Sequence, residues 1–244
     1  MRAHARVVAC RAASGATVLA ELRGEAPLLP RATGVRGGPV AEVHLVGGAA
    51  GPLGGDELTL SVVVGPGASL VLRTVAASVA LPGPSAERST LTVEATVAEG
   101  GSLRYLPEPT VAAAGCDHLI LSTVELADDA RLLWREELLA GRHGEGSGNL
   151  TVRTRVRRAG TPLHHQDVTV GPGAPQWSGP AVLAGNRATG SVLLVGDAAR
   201  EPATVDGGAL MALAAPNAWL ATAVAPAAHE LRRTLDTLCE EGPT

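Results

Sequence analysis

The stretch Leu58-Thr-Leu-Ser-Val-Val-Val64, then Gly65-Pro66-Gly67, then Ser69-Leu-Val-Leu-Arg-Thr-Val75 decides the fold. Its apolar residues first alternate and then run on without interruption. That pattern suits a strand half buried at its start and buried on both faces at its end. Proline fixes φ and lacks an N–H, and the flanking glycines supply turn geometry, so a second strand is expected over 69–75. The pattern recurs downstream. Leu91-Thr-Val-Glu-Ala-Thr-Val97 alternates at period two, Glu99-Gly100-Gly101 breaks it, and 102–106 resumes. Segments 118–126, 131–139, 148–158 and 166–170 read the same way, as do 6–10, 17–23 and 43–46 upstream. Short strands with a turn about every eight to twelve residues imply a mainly β fold of stacked β-sheets, an elongated sandwich or a β-helical type. Val64-Gly-Pro-Gly-Ala68 recurs as Val170-Gly-Pro-Gly-Ala174, but no fixed repeat period emerges.

The last third changes character. Residues 207–213 and 219–238 are rich in Ala and Leu and read as helical, giving a β-rich part over 1–206 and a helical segment over 207–240 within one domain. Pro226 suits the first turn of the final helix, and Leu231, Leu235 and Leu238 recur at spacings of four and three. Gly242 is the expected stop.

Composition narrows the function classes. The 244 residues are 45% hydrophobic, enough to bury a sizeable core. The chain has no Phe and no Lys, and Ile120 is its one isoleucine, a skew that fits mutational bias better than function. A net charge of −4 and 2% aromatics argue against a nucleic-acid partner. Cys10, Cys116 and Cys239 stand far apart, with no C-x-x-C, which suits reduced thiols in a cytoplasmic protein rather than a zinc knuckle or disulfide framework. The first 22 residues carry Arg2, Arg6 and Arg11 without a continuous apolar core, so no secretory leader is expected. The uncharged run 207–228 contains Pro216, Asn217 and Pro226 and reads as buried rather than membrane-spanning.

Several motifs invite chemistry. The Gly-rich run 47–56 ends in Gly54-Gly55-Asp56 directly before a strand. It lacks the Gly-Lys-Ser/Thr of a phosphate loop, and no helix follows it as a dinucleotide site needs. Tight backbone with a carboxylate at the strand's mouth makes it a candidate partner or ion contact. Gly141-Arg142-His143-Gly144-Glu145 crowds charge and imidazole into a Gly-rich loop, a second such candidate. His164-His165-x-Asp167 places His165 and Asp167 on one face of a strand and His164 on the other, which is two ligands short of a closed metal site. Arg153, Arg155 and Arg157 share a face and read as a solvated or protein-facing edge. Adjacent Glu136 and Glu137 must point to opposite faces of a strand. No nucleophile elbow or H-E-x-x-H is present, and no catalytic set emerges.

Taken in order, Gly54-Gly55-Asp56 before a strand, the Thr-containing strand ending near Thr74, Tyr105-Leu-Pro107-Glu-Pro109, Gly141-Arg142 with Gly144-Glu145, and Leu231-Arg232 in a final helix resemble the UreD (UreH) urease accessory family. The resemblance covers roughly residues 40–240. It departs at Val75-Ala76-Ala77, where relatives carry a Gln, and in His143. It implies a non-catalytic, cytoplasmic maturation factor in a hetero-oligomer that binds UreF-like and UreG-like accessory proteins and apo-urease. It also implies that nickel passes through or along the complex, with no tightly bound cofactor, no dedicated metal site and no membrane or nucleic-acid partner. The residues it points to as partner or ion-path contacts are Gly54, Gly55, Asp56, Pro107, Pro109, Gly141, Arg142, His143, Gly144 and Glu145. Two readings compete: a β-sandwich metal-dependent hydrolase using His164, His165 and Asp167, and a β-sandwich protein-binding module.

Overall fold

The computed structural model describes residues 1–84, 87–196 and 200–239. In chain order the elements are β1 (Arg2–Arg11), β2 (Thr17–Gly24), β3 (Leu28–Ala32), β4 (Ala41–Gly47), β5 (Glu57–Val64), β6 (Ser69–Thr74), β7 (Ser78–Ala80), β8 (Ser89–Val97) and β9 (Ser102–Leu106). There follow β10 (Thr110–Ala112), β11 (Asp117–Leu126), β12 (Arg131–Ala140), β13 (Asn149–Arg158), β14 (Thr161–Val170), β15 (Ala188–Val195), β16 (Ala203–Val205), β17 (Gly208–Ala212), β18 (Ala218–Ala225) and α1 (Ala228–Cys239). The chain is mainly β, as its alternation predicts.

The strands form two stacked sheets. Sheet A runs β14-β13-β11-β8-β5-β1-β2, and sheet B runs β16-β17-β18-β15-β12-β9-β6-β4-β3. The turn at Gly65-Pro66-Gly67 does not close a hairpin. It carries the chain from β5 in sheet A to β6 in sheet B, and β8 passes to β9 and β11 to β12 in the same way. Each pass adds parallel rungs to both sheets, so Leu58, Leu91, Ile120 and Val152 stack in register. The rungs hold unequal numbers of residues, which is why the sequence shows no fixed period.

The core lies between the sheets. Inward positions such as Val7, Leu60, Val93 and Val124 of sheet A meet Leu70, Leu72, Leu103 and Leu132 of sheet B. Tyr105 stacks on Trp134 with ring centroids 4.2 Å apart. The outer face of sheet B is covered by α1, whose Leu231, Leu235 and Leu238 are buried against Ala221, Ala223 and Ala225 of β18.

Two expectations are corrected. The segment 207–225 is not helical; it forms β17 and β18 of sheet B. Alanine favours helices in isolation, but packing overrides propensity here: small side chains on β18 let α1 lie close against the sheet. Among the described residues the helix covers 228–239, with the three leucines buried as their spacing predicts. Gly242 lies outside the described residues. The arginine-bearing strand β13 is also not an edge: β14 pairs outside it, and Arg153 meets Asp167 at 2.7 Å. Among the described residues, no helix is long and apolar enough to cross a membrane.

Candidate functional site

The inward rows of both sheets are largely apolar, broken by the buried Ser89–His118 pair on sheet A and, further along, by polar groups that come from both sheets. On sheet A, Ser122 and Thr154 are neighbours in register, on β11 and β13. On sheet B, β12 turns Leu132, Trp134, Glu136 and Leu138 inward. The three polar groups meet. The Thr154 hydroxyl lies 2.7 Å from both carboxylate oxygens of Glu136. Trp134 Nε1 donates at 2.9 Å and Ser122 Oγ at 3.3 Å to Glu136 Oε1. Burial raises the Glu136 pKa, and the donors from Thr154, Trp134 and Ser122 offset part of that rise.

Glu136 is nonetheless partly exposed, because it stands against two hollows between the sheets. The larger, about 350 Å³, is walled by Leu60, Leu91, Ile120, Tyr105 and Leu138. The smaller, about 50 Å³, is lined by Gln166 and Val168 of β14, Thr189, Gly190 and Ser191 of β15, and Thr222 of β18. Glu136, Leu138 and Val152 belong to both walls and form the waist between them.

The larger hollow has a mouth because sheet B is parted beside it. The β9–β12 ladder ends at Tyr105↔Trp134, and the β10–β12 ladder starts only at Thr110↔Leu138. Pro107 and Pro109 have no N–H to offer the intervening rungs. The neighbouring coil parts likewise between Arg73↔Leu106 and Ser78↔Thr110. Val75, Ala76 and Ala77 line the hollow there and are exposed, so it reaches the surface.

Glu108 and Glu137 also line this hollow. Across from them, Arg232 of α1 spans the pair. Its Nη1 donates to both oxygens of Glu108 at 2.8 and 2.9 Å. Its Nε and Nη2 donate to the two oxygens of Glu137 at 3.1 and 2.9 Å. The Glu137 carboxylate is fully buried and also faces Arg135, which pairs with Asp236 of α1. These carboxylates hold the Arg232 guanidinium charged, with its pKa raised.

The ten residues proposed from sequence fall in three places. Pro107 lines the hollow, and Pro109 follows it in the parted strand. Gly54-Gly55-Asp56 forms a packed turn. A side chain on Gly54 would meet the Gly83 backbone at 2.7 Å, and Gly55 is left-handed at φ 86°. Asp56 is 4% exposed; Oδ1 accepts from the Met1 ammonium at 2.7 Å and Oδ2 from the Leu53 N–H at 2.9 Å. Burial pushes its pKa up, but those donors outweigh burial and hold it below the usual range. Gly141, Arg142, His143, Gly144 and Glu145 form the β12–β13 loop, apart from the hollow. Arg142 grips Glu145 at 2.8 and 3.0 Å, and Glu145 also accepts the Arg142 and Ala114 N–H groups, holding its carboxyl at about 2. Gly141 is left-handed, and a side chain there would meet the Glu145 and Gly146 carbonyls at 2.8 Å. Arg187 donates to the carbonyls of Ala140, Gly141 and Arg142, fixing the loop's base. His143 projects into solvent.

The His164-His165-x-Asp167 motif lies on β14 with the predicted faces: His165 Nε2 is 3.4 Å from Asp167 Oδ1, and His164 points the other way. Among the described residues, no group of three or more His, Cys, Asp or Glu side chains is placed to hold a metal ion.

Sequence reasoning missed Glu136 as a site residue, together with Ser122 and Thr154. The available signal was a polar residue in the inward phase of three strands whose inward positions are mostly apolar. The arrangement offers one carboxylate and two hydroxyls, oxygen groups hydrogen-bonded to one another, where the two hollows share a wall.

The family model for the UreD urease accessory protein matches residues 1–241 of this chain. The UreD urease accessory protein of Parafrankia sp. is 48% identical over 248 residues, covering 92% of this chain and 83% of the relative. That of Frankia alni is 44% identical over 98% of this chain and 93% of its own. The UreD 3 protein of Streptomyces griseus is 47% identical over 99% and 96%. With a whole-chain family match and relatives of this similarity, the chain belongs to the UreD family of urease accessory proteins.

Proposed function

We propose that this chain serves urease maturation as a non-catalytic scaffold in the cytoplasm. In this reading it binds UreF-like and UreG-like accessory proteins and apo-urease, and its interior offers Ni²⁺ a route toward the urease site. The observation that carries the reading is the pair of hollows meeting at Glu136. A path for a borderline divalent ion is best lined by oxygen donors that bind weakly, since a closed four-ligand site would trap the cargo. Glu136, Ser122 and Thr154 are such donors, set in an apolar passage that reaches the surface beside Pro107. The Gly141–Glu145 loop, held rigid by Arg142–Glu145 and Arg187, presents Arg142 and His143 outward as a preformed protein contact.

The test is co-expression of urease subunits and the other accessory proteins with and without this chain, followed by nickel analysis of the purified urease. The expected result is nickel-poor, weakly active urease without the chain. Equal loading in its absence sinks the proposal. The hydrolase alternative draws only on His165 and Asp167 sharing a face. It requires stoichiometric metal lost on His165→Ala.

A further inference from the structure

We propose that Arg232 is a positioning residue that keeps the carboxylate pair beside the cavity, Glu108 and Glu137, from holding a divalent cation. This deepens the cation-route reading and rests on it. Both residues border the larger hollow, Glu137 with its carboxylate buried toward α1, and all four carboxylate oxygens of the pair are engaged by one guanidinium. The planar fork of arginine matches this two-carboxylate geometry, with its outer edge on Glu108 and its Nε and second Nη on Glu137. The local charge set is two guanidiniums, Arg232 and Arg135, against three carboxylates, Glu108, Glu137 and Asp236.

Without Arg232, Glu137 would be a fully buried carboxylate facing only Arg135, at 3.7 Å, and Glu108 would lose both of its contacts. An uncompensated buried carboxylate is costly and draws in a cation. Two carboxylates converging beside a water-accessible hollow are the oxygen donors a divalent ion takes. A passage that meets such a pair becomes a trap, whereas one that meets the arginine-saturated pair lets the ion move on. Arg232 comes from α1, which is anchored by Leu231 and Leu235 at 0% exposure, so the guanidinium is delivered by a packed element.

The experiment adds nickel chloride alone to the purified full chain, desalts it, and measures retained nickel. The wild type is expected to retain little, and Arg232→Gln at least about tenfold more, equivalent to about 1.4 kcal/mol of added affinity. Adding Glu108→Gln to Arg232→Gln is expected to abolish the gain. Retention by Arg232→Gln no greater than wild type overturns the proposal, as does a gain that survives Glu108→Gln. Should Arg232→Gln fail to fold, Arg232→Lys keeps the charge but loses the fork. Intermediate retention then supports the proposal and wild-type retention overturns it. Failure of the cation-route reading shows separately, as urease that loads with nickel in the absence of this chain.

Discussion

Thr154 and Glu136 stand on opposite sheets, and the threonine hydroxyl lies 2.7 Å from each oxygen of the glutamate carboxylate. This contact joins the two sheets at a level where polar groups of both face inward. Thr154→Val keeps the shape and removes the donor. We expect a loss of about 1–3 kcal/mol in unfolding free energy, the usual cost of leaving a buried acceptor short of a partner. Urea denaturation measures it. A variant as stable as wild type would show that the Trp134 and Ser122 donors suffice.

His118 gives the chain a pH dependence. It is 1% exposed, and its Nδ1 is 2.8 Å from Ser89 Oγ. Burial pushes its pKa from 6.5 down to about 4, against the pull of Ser89, Asp117 and Asp56. The folded state therefore binds fewer protons than the unfolded state between those values, so stability is lost as pH falls through that window. The loss attributable to His118 approaches about 3 kcal/mol by pH 4. His164, also lowered by burial, acts in the same direction, and the raised Glu136 carboxyl in the opposite one. The informative comparison is His118→Gln against wild type, by urea midpoint at pH 7 and pH 5. The variant should lose less on acidification, and an identical loss would remove His118 from the account.

The helix is held by leucines as much as by ions. Leu235 is 0% exposed between α1 and β18. Leu235→Ala should cost about 2–5 kcal/mol. Because Arg232 is one turn away, it should also loosen the grip on Glu108 and Glu137 and raise nickel retention. Calorimetry and the retention assay read the two effects on one sample.

Much of the fold was legible in the sequence, and the reasons are physical. Period-two alternation at 58–64 and 91–97 and the Gly-Pro-Gly turn mark strands wherever one face is buried. What alternation cannot show is which sheet a strand joins. The passage of β5 and β6 into different sheets depends on contacts far apart in sequence. Residues 218–225 were misread because alanine reports helix propensity, whereas here it reports the closeness of α1. For the site, Pro107 is marked by the family resemblance alone, through Tyr105-Leu-Pro107-Glu-Pro109. Glu136 was seen only as one of two adjacent carboxylates on opposite faces, which the structure bears out: Glu136 faces the hollows between the sheets and Glu137 meets the helix. That Ser122 and Thr154 would share its level required the register of β11 against β13.

The central claim is that cargo uses the interior of this chain, and the mouth beside Ala77 is where it can be tested with least disturbance to the fold. Ala77 is exposed yet lines the larger hollow, so Ala77→Trp narrows the mouth without entering the core. The measurement is the nickel content and activity of urease matured by co-expression with Ala77→Trp, beside Ala77→Ser and wild type. The account predicts unchanged melting temperatures for both variants, full activation with Ala77→Ser, and at least about a tenfold loss with Ala77→Trp, a barrier of about 1.4 kcal/mol or more. Full nickel loading by a stably folded Ala77→Trp protein would contradict it.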